Sequence, residues 1–331
     1  PAPNTDYLQG VQYLVNDETD KAMDVFIRLL EVDNDTVETH LALGALFRRR
    51  GEVDRALRVH QNLVARPNLD HRYRNRARLE LAQDYMKAGV LDRAEGLYLE
   101  LLEQGMFQDA ALSSLVSIYE KERDWERAID ATRRQEKVQG APEPRRLAQY
   151  ACEMAEEALW TKDTKTALQW VKRALSDDRD CVRASLLEGK AREASEDIRG
   201  AVKAYRRVAR QDARFVVETL EPLKRCYESL SQQSEWLAYL REQSDQQTLP
   251  AVQVALARES EPAEGVALLA SYLSSTPSWT AFNHLLELNQ SELPATLAAP
   301  LQTLHGALRA TLASAPLYAC QHCGFAGRAI H

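Results

Sequence analysis

The sequence predicts an all-α protein, a right-handed superhelix of about eight antiparallel helix pairs with the last ones degenerate, followed by a small metal knuckle. Three observations carry the prediction. An alanine recurs at a nearly constant interval through the first two thirds of the chain. Around each alanine, apolar residues fall on one helical face. The last fourteen residues, YACQHCGFAGRAIH, contain a C-x-x-C-G turn.

The fragments DKAMDVF (20–26), DRALRVH (54–60), DRAEGLY (92–98) and ERAIDAT (126–132) align on Ala22, Ala56, Ala94 and Ala128, and the register continues through Ala167 and Ala201. The spacings are 34, 38, 34, 39 and 34 residues. A period of 34 is the length of a tetratricopeptide repeat (TPR), a helix–turn–helix unit. The two longer intervals contain the loop insertions RPNLD (66–70) and QGAPEPR (139–145).

The first helix of each unit should carry a small residue twelve positions before the alanine, where the helices cross closely. Gly10, Gly44, Ala82, Ala155 and Gly189 fit; Val116 does not. A large aromatic nine positions before it should fill the wedge beside that crossing. Tyr13, Phe47, Tyr85 and Tyr119 fit, whereas Ala158 and Arg192 do not. The turn calls for glycine five positions before, and Gly51 and Gly89 supply it. In the second helix of the second unit, Val53, Ala56, Leu57, His60, Leu63 and Val64 form one stripe at helical spacing. Asp20, Asp54, Asp92 and Glu126 sit in the first turn, where an acid complements the helix dipole.

Beyond residue 205 the pattern weakens. Tyr227 and Trp236 imitate the aromatic and the key position, with tryptophan in place of alanine, and EGVALLASYLSSTP (264–277) reads as another second helix. The solenoid is therefore expected over residues 4–288, its last three units degenerate, as capping units are. Residues 289–315 read as a linker and an amphipathic helix over 300–314. In that helix Pro300 suits the first turn, and Leu301, Leu304, Leu308 and Leu312 share a face. Residues 316–331 read as the first half of a metal-binding domain.

The net charge of −7 argues against a dedicated nucleic-acid binder. Two local clusters, FRRRG (47–51) and HRYRNRAR (71–78), fit solvated helix faces. They also fit an acidic partner, which makes Arg48, Arg49, Arg50, Arg72, Arg74 and Arg76 the candidate partner-binding residues. The chain contains no P-loop, no dinucleotide glycine motif, no H-E-x-x-H and no G-x-S-x-G, so no catalytic residue is assigned. His40, His60, His71, His284 and His305 are isolated and read as structural or surface residues. The carboxylate clamp some TPR arrays use for C-terminal tails needs Lys and Asn where this chain has Tyr7, Val11 and Ala42. Cys152, Cys181 and Cys226 are scattered and behave as small apolar residues, so a reducing compartment is expected. No run of 18 apolar residues is found, and the chain as given reads as soluble.

Cys320 and Cys323 allow three readings. They are free thiols, or a redox pair, or one of the two knuckles that a four-ligand zinc or iron site needs. His322 lies inside the tight turn and is poorly placed as a ligand; His331 ends the chain. The expectation is half of a rubredoxin-like or zinc-ribbon site, with the second C-x-x-C lying beyond His331.

A long TPR array ending in YACQHCGF resembles the lipopolysaccharide assembly protein B (LapB, also YciM) family of Gram-negative bacteria. The stretches DYLQGVQYLVNDETDKAMDVFIRLL, ETHLALGALFRRRGEVDRALRVHQNL and LAQDYMKAGVLDRAE carry the rest of the resemblance. It implies an N-terminal inner-membrane helix, missing here, cytoplasmic TPRs, and a rubredoxin-like domain packed on them that binds zinc or iron through four cysteines. Of those ligands, only Cys320 and Cys323 are carried over. It further implies a non-enzymatic adaptor on the cytoplasmic face of the inner membrane. Such an adaptor promotes degradation of the LpxC deacetylase by the FtsH protease, opposed by the membrane regulator YejM (PbgA, LapC). A generic TPR scaffold and a rubredoxin-like iron redox protein are the competing readings.

Overall fold

The computed structural model describes residues 5–16, 18, 21–22, 25, 36–246, 249–289, 295–314, 316, 318–319 and 326–327. The chain forms two compact units, Pro1–Glu143 and Pro144–His331, each a stack of antiparallel helix pairs. In the first unit, α1 (Thr5–Val15) precedes the pairs α2/α3 (Val37–Arg49, Val53–Val64), α4/α5 (His71–Ala88, Leu91–Glu103) and α6/α7 (Gln108–Glu122, Trp125–Gln139). The second unit holds α8/α9 (Pro144–Trp160, Thr164–Asp177), α10/α11 (Val182–Ala194, Ile198–Gln211), α12/α13 (Val217–Ser229, Gln233–Gln246) and α14/α15 (Pro250–Glu259, Pro262–Ser275). It continues with α16 (Trp279–Leu288), α17 (Ala295–Ser314) and the two-residue strands β1 (Tyr318–Ala319) and β2 (Ala326–Gly327). The strands pair antiparallel, Tyr318 opposite Gly327 and Ala319 opposite Ala326, in the only sheet among the described residues.

The alanine register marks the core. Ala22, Ala56, Ala94, Ala128, Ala167 and Ala201 are each 0% exposed. From Ala56 onward, the key residue is the fourth of the second helix in its pair. Trp236 holds that position in α13 and is buried against Tyr227 and Tyr239, with both ring centroids 6.0 Å away. Gly265 holds it in α15. An added Cβ there would stand 2.7 Å from the Ala257 carbonyl oxygen, so the last pair approaches more closely than alanine permits.

The turn within each pair through α12/α13 is equally regular, and it is a backbone motif; α14/α15 departs from it, with Ser260 extended at φ −89°. The N–H four residues before the key position donates to the carbonyl nine before it. This holds for Glu18→Tyr13, Glu52→Phe47, Val90→Tyr85, Asp124→Tyr119, Asp163→Ala158, Asp197→Arg192 and Gln232→Tyr227, all at 2.8–3.0 Å. That six-to-one bond is the Schellman closure, and it places the intervening residue in the left-handed region. Gly51 (φ 83°) and Gly89 (φ 76°) take it without strain. Arg123, Lys162, Glu196 and Ser231 occupy the same turn position at φ 56–63°. The second helix then begins on a side-chain cap where the next residue is aspartate. Asp124, Asp163 and Asp197 accept from the amides of Arg127, Thr166 and Gly200.

The last described helix differs from expectation. Helix α17 begins at Ala295, so Pro300 lies inside it and not at its first turn. Proline lacks one amide and clashes with the carbonyl four residues earlier, a cost smallest near a helix start, where few intrahelical bonds exist to lose. Of its leucine face, Leu304 is 45% exposed while Leu301, Leu308 and Leu312 are partly covered.

Candidate partner-binding surface

Basic residues of the first unit divide into internal and external groups. Arg48, near the end of α2, reaches across to α4. Its Nη1 donates to Asp84 at 2.7 Å and to the Glu80 carbonyl at 3.1 Å. Its Nη2 donates to Glu80 Oε2 at 2.6 Å and Gln83 Oε1 at 2.7 Å. Asp84 is fully buried, and its other oxygen faces Nδ1 of the buried His60 at 2.5 Å. The other ring nitrogen of His60 lies 3.3 Å from the Leu41 carbonyl. The network thus joins α2, α3 and α4 through one carboxylate. Such a buried charge group is justified only when every member is satisfied.

Arg49 and Arg50 end the same helix and are exposed. In α4, Arg74 donates to the carbonyls of Arg66 and Pro67 and so closes the inserted loop. Arg72 is 87% exposed, 3.7 Å from Asp70, and Arg76 lies 3.6 Å from Glu38 with its side chain about half exposed. The candidate arginines are therefore not one patch. Arg48 and Arg74 hold the repeat and its loop together, while Arg49, Arg50, Arg72 and Arg76 face solvent. Sequence spacing could not separate them, because the acceptors lie 32–36 residues away on the next pair for Arg48 and on carbonyls for Arg74.

The second unit has an open cleft of about 610 Å³ among α9, α10 and α11. Leu168, Val171 and Leu175 form its apolar wall; Glu188, Arg192 and Arg207 form its charged one. Glu188 accepts from Arg192 Nε at 2.8 Å and also pairs with Arg207. Burial alone would raise the Glu188 carboxyl, but the hydrogen bonds from Arg207 and Arg192 outweigh it and hold the group below the usual range. With Lys172, Arg192 and Arg207 against Glu188 alone, the charged wall is basic, and beside an apolar wall it suits a protein segment that carries both apolar and acidic side chains.

Further along, two histidines meet on one acid. Glu287 accepts from His284 Nδ1 at 2.7 Å and from His305 Nε2 at 3.0 Å, which ties α16 to α17. His284 stands at local i,i+3 spacing from the acid, whereas His305 lies 18 residues away and gives no sign of it in the sequence.

Cys320 and Cys323 lie outside the described residues. The pairing of β1 with β2 brings the two ends of the segment that contains them side by side. Among the described residues, no three His, Cys, Asp or Glu side chains are placed to hold a metal, and no helix is long and apolar enough to cross a membrane.

Comparison with known proteins agrees with the repeat. The tetratricopeptide repeat family model matches residues 39–73 and 111–135. Lipopolysaccharide assembly protein B of Escherichia coli (strain K12) is 34% identical over 325 residues, covering 97% of this chain and 84% of that protein. The protein of the same name from Haemophilus influenzae (strain Rd) is 33% identical over 334 residues, with the same coverage of each. Among solved structures, MamA is 19% identical, covering 55% of this chain and 95% of that one, with a TM-score of 0.36.

Proposed function

The chain belongs to the lipopolysaccharide assembly protein B family, and on that premise we propose that it is a non-catalytic adaptor that restrains lipopolysaccharide synthesis. The observation that carries this reading is identity of one residue in three along 97% of the chain, on a repeat architecture built to hold other proteins. In this reading the adaptor presents the LpxC deacetylase to the FtsH protease at the cytoplasmic face of the inner membrane, and YejM opposes it. The exposed arginines Arg49, Arg50, Arg72 and Arg76 offer an acidic segment a docking face, and the cleft between α9 and α11 offers an apolar one. Cys320 and Cys323 supply two thiolates of a zinc or iron site that is structural and stabilises the C-terminal domain.

The test is genetic and biochemical. A Gram-negative strain depleted of its own family member accumulates deacetylase in this reading. The protein, expressed from its complete gene, should return the deacetylase to wild-type level and co-purify with protease and deacetylase. Cys320→Ser should lose bound zinc or iron and fail to restore control while retaining helical circular dichroism. Normal deacetylase levels in the metal-free variant would remove the metal site from the function. Failure of the wild-type protein to lower the deacetylase at all would remove the adaptor reading.

A further inference from the structure

Cys152 lies in the middle of α8 and Cys181 is the N-cap residue of α10. They are 29 residues apart in sequence, yet their sulfurs are 3.8 Å apart. Both are buried, Cys152 fully and Cys181 4% exposed beside the exposed turn residues Arg179 and Asp180. Cys226 is also buried, on a different helix.

The two thiols are chemically unequal. The Sγ–Sγ contact with Cys152 favours the Cys181 anion, as do a backbone hydrogen bond involving Ala184 in the first turn of α10 and the nearby Arg183 guanidinium. The Gln149 amide also donates to its sulfur at 3.7 Å. The Cys152 contact, the Ala184 backbone bond and Arg183 together outweigh burial and the charge of Asp178, and draw the Cys181 thiol below the usual cysteine range. Cys152 is pushed far up by the contact with Cys181 and by burial. Burial lifts Cys226 to about 11. One thiolate at a helix N-terminus touching one thiol is the arrangement of an attacking and a resolving cysteine.

We propose that Cys152 and Cys181 are a peroxide-sensitive dithiol whose oxidation closes a disulfide between α8 and the start of α10. The Cys181 thiolate attacks one oxygen of a hydroperoxide. The O–O bond breaks, the S–O bond of a sulfenic acid forms, and hydroxide or alkoxide leaves. Cys152 then gives its proton to that base and its sulfur attacks the sulfenic sulfur. The S–S bond forms as the S–O bond breaks, and the departing hydroxide becomes water by taking back from solvent the proton that Cys181 released on ionising. The two thiols supply two electrons and the peroxide bond receives them. The sulfurs, 3.8 Å apart, must close by roughly 1.8 Å to reach bonding distance. With 4% exposure at Cys181, the oxidant class is a small hydroperoxide and not a bulky disulfide. The bond would fasten the first helix of one pair to the first helix of the next, fixing the angle between adjacent repeats.

The experiment treats the reduced full chain with hydrogen peroxide, blocks remaining thiols, and maps tryptic peptides by mass spectrometry. The expected product links peptide 147–162 to peptide 180–183, disappears with dithiothreitol, and removes two of the three thiols at 152, 181 and 226. In Cys152→Ser, treated with peroxide and then unfolded in the presence of dimedone, Cys181 should be labelled as a trapped sulfenic acid. In Cys181→Ser, Cys152 should stay unlabelled. Circular dichroism confirms that both variants are folded, and the wild-type linkage needs no variant. Absence of the linked peptides at a peroxide dose that fully oxidises free cysteine overturns the proposal. Dimedone labelling of Cys152 in Cys181→Ser, with none on Cys181 in Cys152→Ser, overturns the assignment of roles.

Discussion

The imidazole of His60 fills the space where a side chain on Gly44 would begin: a Cβ there would stand 2.4 Å from both Cε1 and Nε2 of the ring. Gly189 and Tyr205 repeat the relationship four units on, with the phenol ring 2.2 Å from the added atom. In both pairs the ring residue lies sixteen positions after the glycine and four after the key alanine. The small residue of the first helix is thus the socket for a specific ring on the second.

Gly44→Ala should therefore destabilise the first unit. Alanine would gain about 1 kcal/mol of helix propensity. Overpacking costs about 1–3 kcal/mol, and the upper end applies because His60 is held at both nitrogens and cannot turn aside. A net loss of about 2 kcal/mol by urea unfolding is expected. An unchanged or raised midpoint would show that the ring yields.

Arg48 should behave as a structural residue. Asp84→Ala takes a shared carboxylate from both Arg48 and His60, but Arg48 keeps Glu80 and Gln83 and His60 keeps the Leu41 carbonyl, so the loss should stay below the about 3–5 kcal/mol of a buried charge left with no partner. Arg48→Glu should lower the melting temperature by a comparable mechanism, so its effect on any partner is read only after stability is measured. Arg49→Glu, on the exposed side of the same helix end, should leave melting within about 0.5 kcal/mol of wild type. Equal melting of Arg48→Glu and Arg49→Glu would contradict this division.

The left-handed turn residues should be improvable. Arg123, Lys162, Glu196 and Ser231 are exposed and hold φ 56–63°, a conformation costing an L-residue about 1–2 kcal/mol. Glycine removes that strain but adds freedom to the unfolded chain, of about 0.5–1 kcal/mol. Each change to glycine should thus raise stability by a few tenths to about 1 kcal/mol. The reverse change, Gly89→Ala at φ 76°, should lower it. Thermal melts of the single variants decide the sign.

The tie between α16 and α17 should loosen in acid. Burial alone would raise the Glu287 carboxyl, but hydrogen bonds from His284 and His305 more than compensate and depress it. A depressed carboxyl adds stability that is present above the ordinary glutamate range and is lost as pH falls through its folded value. Hydrogen exchange of α17 should therefore be unaffected by Glu287 titration near neutrality and accelerate below about pH 4.5. In Glu287→Gln that acid-dependent step should disappear. A step of the same size in the variant would assign it to another group.

The amino-acid sequence determined the helix pairs, their interval and the residues at their crossings. Those features repeat at fixed spacing, because each pair must bury the same small contact in the same way. The alanines at 22, 56, 94, 128, 167 and 201 are therefore legible one by one, and all are fully buried. The turn was legible only at Gly51 and Gly89; in the next four pairs the backbone closure imposes φ > 0 on residues that carry no sign of it. The key position of the last pair, Gly265, escaped for a similar reason, since close approach to the Ala257 carbonyl replaces the alanine signal. What only the tertiary structure decided is which side chains from different pairs meet. It separated Arg48 from Arg49, put two histidines on Glu287, and brought Cys152 against Cys181 across 29 residues. Stacking sets those contacts through the angle between neighbouring pairs, and no local spacing encodes that angle.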